Sequence, residues 1–171
     1  MISAAFLAKR TAIALGACLL TTSAFSASYS TPVRDVENPA RTPLADSGTT
    51  TVDPGFVGVF GTPIAEVPVN TRLVIEFVSV SCTTDAGNPV TVTSLGIVEA
   101  VSGGTITHNF QIPIRFQGTG AFGSVYVGAL ATRLYADRGI GGVGVISSVQ
   151  RTNGTGTTNC SFSVSGHTIN I

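Results

Sequence analysis

Beyond Lys9 the chain holds no lysine, so every later cation is an arginine. That omission excludes a Schiff-base lysine, a P-loop lysine and a Ser-Lys dyad from everything downstream of the N-terminus. Charge of either sign is scarce: nine basic and nine acidic residues give a formal net charge of +0. No basic patch speaks for nucleic acid or an anionic membrane surface. Imidazole is limited to His108 and His167, and sulfhydryl to Cys18, Cys82 and Cys160. No H-E-x-x-H, C-x-x-C or EF-hand loop occurs, and without a G-x-S-x-G there is no candidate nucleophile elbow. No cofactor is expected. No apolar run reaches the ~18 residues that a membrane-spanning helix requires.

What is present begins with an address. Lys9-Arg10 precedes an apolar run, Thr11 to Leu20, and then small residues from Thr21 to Ser28. Positive n-region, short h-region and small-residue cleavage zone form the pattern of a secretory signal peptide. Residues 1–26 are read as that leader, with cleavage after Ser26 or Ser28. A rival reading takes Leu15-Gly16-Ala17-Cys18 as a lipobox that would anchor the chain through Cys18. Against it, Cys18 follows Arg10 closely and apolar Leu19-Leu20 would open the mature chain. Either way the destination is periplasmic or extracellular, and Cys18 is withdrawn from disulfide chemistry. Removal of the leader leaves nine acidic residues against seven arginines, a net charge near −2.

Cys82 and Cys160 remain, an even number in an oxidising compartment, and read as one disulfide. The alternative is a pair of free buried thiols. Metal ligation by the pair fits less well, because two residues cannot fill a tetrahedral zinc shell.

The next stretch, 27–55, is polar and punctuated by Pro32, Pro39, Pro43 and Pro54. Proline disfavours helix and forces the preceding residue toward extended geometry. It reads as an extended arm with one short strand near Pro32 to Val36, disordered or laid along a sheet edge. The folded domain is expected over 56–171. Strand signals follow at Phe56 to Phe60, closed by Gly61-Thr62-Pro63, then at Arg72 to Cys82, dense enough in β-branched residues to be buried on both faces. Val90 to Val101 leads to a Gly103-Gly104 hairpin turn. Thr105 to Phe116 has the cleanest period of two: Ile106, His108, Phe110, Ile112, Ile114 and Phe116 share one parity. That predicts a single half-buried strand, at an edge or bulged because of Pro113. Gly118 to Gly123 reads as a turn, and Ser124 to Ala136 and Val143 to Val149 as strands. In the last strand Cys160, Phe162 and Val164 have one parity and His167, Ile169 and Ile171 the other. A β-bulge at Ser165-Gly166 would bring both sets inward and aim Cys160 at an inter-sheet disulfide. About eight strands with no convincing helix predict an all-β, antiparallel two-sheet sandwich or jelly roll.

Candidate chemistry is thin. Gly118-Gly120-Gly123 and Gly139-Gly141-Gly144 match G-x-G-x-x-G, but neither opens a helix in a βαβ setting, so both read as turns. His108 and His167 share parity with isoleucines and read as core or rim residues; brought together with Glu76, Glu99 or Asp137 they would make part of a metal site. Glu76 and Glu99 are the candidate carboxylate pair of a glycosidase. Their ordinary role is ion pairing, Glu76 with Arg72 on its own strand or with Arg115 across strands. No catalytic, cofactor or metal residue is assigned. The densest polar cluster lies in the arm: Arg34, Asp35, Glu37, Asn38 and Arg41.

Around that cluster, Val33-Arg34-Asp35-Val36-Glu37-Asn38-Pro39-Ala40-Arg41-Thr42-Pro43 follows V-x-x-V-[DE]-[NE]-P-[AG]-R-x-P. Val67-Pro68-Val69-Asn70-Thr71-Arg72-Leu73-Val74-Ile75-Glu76 follows V-P-x-x-x-R-L-V-I-E. Together with Ser165-Gly166-His167, these stretches resemble a group of short, exported, β-rich bacterial proteins with no assigned activity. The resemblance implies export and a β-rich fold and supplies no catalytic residue. The expectation is a small exported β-sandwich that acts by binding or assembly: a glycan or other ligand binder, or a subunit that self-associates through its arm. The alternative is a carbohydrate-active hydrolase or other secreted enzyme.

Overall fold

The computed structural model describes residues 41–171 apart from residue 86. The leader, Cys18, the strand expected at Pro32 to Val36 and the cluster residues Arg34, Asp35, Glu37 and Asn38 lie outside the described residues. Arg41 is described and exposed, one residue before the first strand.

Nine strands follow: β1 (Thr42–Val52), β2 (Gly58–Glu66), β3 (Thr71–Thr84), β4 (Val90–Val101), β5 (Gly104–Gln111), β6 (Ile114–Gly120), β7 (Gly123–Asp137), β8 (Val143–Arg151) and β9 (Thr158–Asn170). A 3-10 turn at Ile140–Gly142 is the one helical element among the described residues. Sheet I has the order β1-β9-β3-β7-β6 and sheet II the order β2-β8-β4-β5, with every pairing antiparallel. The chain alternates between sheets from β1 to β4, turns back in the β4–β5 and β6–β7 hairpins, and alternates again through β8 and β9. That is the strand order of a jelly roll with β6 added at one edge.

The core lies between the inner faces. Leu73, Ile75, Val78 and Val80 of β3 and Phe162 and Val164 of β9 meet Leu95, Ile97, Val145 and Val149 from sheet II. Cys82 and Cys160 oppose each other directly on β3 and β9 and form the disulfide. The bridge therefore joins neighbouring strands of one sheet, not the two sheets. It closes a sequence separation of 78 residues.

Four expectations are corrected. Residues 42–52, assigned to the arm, form β1, because their backbone completes a full ladder with β9; the sandwich begins at Thr42, not 56. Gly61-Thr62-Pro63 does not end β2; the strand continues through a register shift at Phe60/Thr62, with Gly61 at φ 84°. Proline is tolerated there because β2 is an edge. The bulge lies on β3, not at Ser165-Gly166: between Ile75 and Phe77 the extra residue is Glu76. Gly166 sits opposite, and a Cβ there would collide with the Val74 carbonyl oxygen. β9 thus keeps one parity, and His167 and Ile169 lie on the outer face across from Val74 and Arg72. Among the described residues no third layer covers the outer face of β3, and Phe77 is exposed.

The fourth correction concerns the long alternating segment. Thr105 to Phe116 is two strands in different sheets, β5 and β6, broken at Ile112-Pro113. The Ile112 amide donates to the Thr93 carbonyl at 2.8 Å, and the Thr93 hydroxyl donates to the Ile112 carbonyl at 2.9 Å. Pro113 has no N–H to continue either ladder.

One end of the sandwich is held by Arg151, which is buried and, among the described residues, bonded to backbone carbonyls and a hydroxyl and to no carboxylate. Its Nε donates to Phe56 O at 2.9 Å and its Nη2 to Asp53 O at 2.7 Å and Phe56 O at 2.8 Å. Its Nη1 donates to Gly156 O at 2.8 Å and Thr158 Oγ1 at 3.2 Å. One guanidinium thereby ties the β1–β2 loop to the β8–β9 loop. Arg151→Met is expected to lower stability in urea denaturation by about 3 kcal/mol, since several buried carbonyls lose a charged donor. A loss below about 0.5 kcal/mol would mean that water replaces the guanidinium freely. Removing the disulfide in Cys82→Ala/Cys160→Ala is expected to cost up to about 4.5 kcal/mol, read as a fall in the denaturant midpoint with the native sheet signal retained.

Candidate functional site

The structure keeps the chemistry-bearing side chains apart. His108 lies on β5 and its Nε2 is 3.9 Å from Glu99 Oε2 on β4. His167 lies on β9 and its Nδ1 is 3.5 Å from Glu76 Oε1 on β3. The first pair belongs to sheet II and the second to sheet I, so the histidines do not share a site. Glu76 and Glu99 likewise sit in different sheets and do not form a facing carboxylate pair. Among the described residues no group of three His, Cys, Asp or Glu side chains is placed to hold a metal.

Arg72 does not pair with Glu76. It makes two hydrogen bonds of 2.7 Å to the Asp137 carboxylate, because Arg72 and Asp137 are register partners on β3 and β7. Its Cζ also lies 5.9 Å from the Tyr135 ring centroid. Hydrogen bonding from Arg72, with its charge adding, holds the Asp137 carboxyl below the usual range against a smaller opposing effect of burial. The same hydrogen bonds raise the Arg72 guanidinium. The G-x-G-x-x-G matches are turns: Gly120 pairs with Gly123 across the β6–β7 hairpin, and Gly139 to Gly144 surround the 3-10 turn and enter β8.

A different feature stands out: the two flanks of the sandwich differ. On the β1/β2 flank the sheets close tightly; a Cβ on Gly48 would lie 2.9 Å from the Pro63 carbonyl oxygen. On the β5/β6 flank they do not. In sheet I the row Thr50, Cys160, Cys82, Tyr126, Phe116 runs across register partners on one face. Thr50 and both cysteines are fully buried, whereas Phe116 is 56% exposed. Among the described residues its ring contact is with Tyr126, at 5.4 Å between centroids. In sheet II, buried Leu95 is the register partner of Phe110, which is 36% exposed, and Ile106 is 45% exposed. Among the described residues, inward-pointing apolar side chains on both edge strands are therefore left uncovered.

The four edges of the two sheets are also unequal. An exposed edge is protected by proline, charge, bulges or shortness. β1 carries Pro43 and Asp46. β2 carries Pro63, Glu66 and three register shifts. β6 carries Arg115 and a shift at Phe116/Gly118. β5, of sequence Gly-Thr-Ile-Thr-His-Asn-Phe-Gln, has no proline, no acidic or basic side chain apart from His108, and no register shift. All eight of its residues are exposed. Among the described residues it pairs with β4 alone.

No family model matches the chain, and no curated protein sequence matches it significantly. Among solved structures the chain is similar to one in the cyanophage Pam1 capsid asymmetric unit. The identity is 11%, the match covers 74% of this chain and 86% of that chain, and the TM-score is 0.33. At that distance the likeness carries no argument about activity or partners.

Pro113 placed 105–116 at an edge or a bulge, and β5 is an edge strand; what the alternating pattern hid is that both of its faces are exposed. The available signal was the absence of any edge-protecting residue between Gly104 and Gln111.

The Arg72–Asp137 pair makes a pH-dependent contribution. Because the folded carboxyl is lowered, its stabilisation is complete above the unfolded carboxylate value of about 3.9 and is lost as pH falls from there through the folded value. Both side chains are more than a third exposed, at 39% and 37%. Solvent screening therefore limits the pair to about 0.5 kcal/mol. Asp137→Asn is expected to cost about that much in urea denaturation at neutral pH and low salt, and nothing near pH 2. A difference that persists at low pH would assign the effect to packing.

Proposed function

We propose that this protein is an exported, non-catalytic β-sandwich module that works by assembly, accepting an extended chain segment along β5. The observation that carries this reading is the unprotected β5 edge, bordered by the open apolar row of Ile106, Phe110 and Phe116. Strand addition supplies both missing elements: main-chain hydrogen bonds satisfy the free edge, and alternate side chains cover the apolar row. A periplasmic or extracellular setting accords with the leader pattern and the disulfide, which persists in an oxidising compartment. The proposal agrees with the resemblance to short exported β-rich bacterial proteins.

Ile106→Lys/Phe110→Lys places inward-pointing charge at this edge, a device by which natural sheets block edge pairing. Both positions are partly exposed, so the double variant is expected to lose no more than about 1–2 kcal/mol of stability. In sedimentation velocity the unsubstituted protein is expected to associate and the variant to run as a monomer. Equal association of both proteins would overturn the reading, as would a monomeric unsubstituted protein at high concentration.

A further inference from the structure

The acceptor edge and the point where the arm enters the sandwich lie on opposite flanks. Residues 27–40 lead through Arg41 into β1, the outermost strand of sheet I on the flank away from β5 and β6. Thr42 pairs with Thr168, which in turn pairs with Leu73, so the arm enters at the end of the sandwich marked by Arg72 and Asp137. The β4–β5 turn lies at that same end, because Gly139, just beyond Asp137, abuts the Val98 carbonyl. β5 therefore runs away from the end where the arm arrives. We propose that the segment docking along β5 is residues 27–34 of a second copy of this chain, joining copies head to tail; this rests on the reading of β5 as an acceptor edge.

The shorter path favours the second copy. Within one copy, β1 and β6 are four strand spacings apart, about 19 Å, and the arm would have to traverse that width before reaching β5. With a neighbour placed side by side, the arm emerges directly at the neighbour's open flank. Fourteen extended residues span up to about 46 Å. Seven of them, 28–34, can lie opposite Thr105 to Gln111 of β5, a register that sets Tyr29, Thr31 and Val33 across from Phe110, His108 and Ile106, and 35–40 remain to cross the junction. A segment running toward Thr42 lies antiparallel to β5, the pairing used everywhere else in the fold.

The residue pattern fits the place. Tyr29, Thr31 and Val33 share one parity and would extend the row of Ile106, His108 and Phe110. Ser30, Pro32 and Arg34 share the other and would face outward. Pro32 and Arg34 are the protective residues that β5 lacks, so the added strand would form a blunted edge. A second surface supports the same arrangement. Phe56, Val57 and Phe60 are exposed beside β2, at the opposite edge of sheet II from β5. Apolar patches on opposite flanks suit a heterologous, head-to-tail contact, which closes as a ring or continues as a fibre.

The test uses two variants of the exported chain, each retaining all nine strands. One lacks residues 27–40 and keeps an acceptor edge; the other carries Ile106→Lys/Phe110→Lys and keeps a donor arm. Both are first checked for an unchanged thermal unfolding profile. Each alone is expected to sediment as a monomer, their mixture as a 1:1 complex, and the intact chain as larger species. A mixture that stays monomeric overturns the proposal. An arm-deleted chain that associates as the intact one does, while the lysine variant stays monomeric, leaves the acceptor reading standing and overturns the arm as donor. A monomeric intact chain whose residues 27–34 resist protease until the lysines are introduced assigns the arm to its own β5 and overturns the second copy. Association unaffected by either change removes both readings.

Discussion

The passage of the chain between sheets at Ile112-Pro113 is the constraint on which the open flank depends. Ile112 is buried and pinned to Thr93 through both its amide and its carbonyl. The following proline cannot donate to a ladder. The chain therefore leaves sheet II at Gln111 and enters sheet I at Ile114, so that consecutive strands become outer edges of opposing sheets. A continuous strand here would have had one covered face. Splitting it leaves Ile106, Phe110 and Phe116 facing a space that neither sheet fills, and frees the whole backbone edge of β5.

The remainder of the molecule is closed by other means. The β1/β2 flank closes through glycine, with Gly48 allowing β1 to approach the Pro63 backbone. The centre of sheet I is covalently tied by Cys82–Cys160. Two buried hydroxyl pairs, Thr50 with Ser147 and Thr84 with Thr158, satisfy one another in the interior. At the end carrying the 53–56 and 155–158 loops, the Arg151 guanidinium collects their carbonyls. A buried arginine surrounded by carbonyls is tolerable because each N–H finds an acceptor, and no buried side-chain polar atom among the described residues is left without a partner. Stability is thus concentrated away from the flank proposed to engage a partner.

Much of this was legible in the residues. The cysteine pairing followed from counting thiols after removing Cys18. The β4–β5 hairpin was readable from Gly103, which takes φ 92° in the turn. The strands from Arg72, Val90, Ser124 and Val143 were readable from β-branched density. The misreadings share a cause. β1 looks like a linker because Thr42 to Val52 is polar and contains Pro43 and Asp46, properties equally suited to an edge strand. The slip in parity within β9 suggested a bulge there, whereas the extra residue is Glu76 on the partner strand. For the candidate site, the sequence singled out His108, His167, Glu76, Glu99 and Asp137 but could not tell which would meet. Glu76 meets His167 and Arg72 meets Asp137, pairings made across strands far apart in sequence.

By itself the sequence determined an all-β chain with one disulfide, because strand tendency, turn chemistry and thiol count are local or compositional. Only the tertiary structure decided that 105–116 divides into outer edges of opposing sheets, which inward faces are covered and which ionisable groups meet. Period two states that a strand has two faces; it does not state whether a second sheet lies over either one. That depends on pairing between segments up to 126 residues apart, as Thr42 and Thr168 are, and the open β5 edge is a consequence of that pairing.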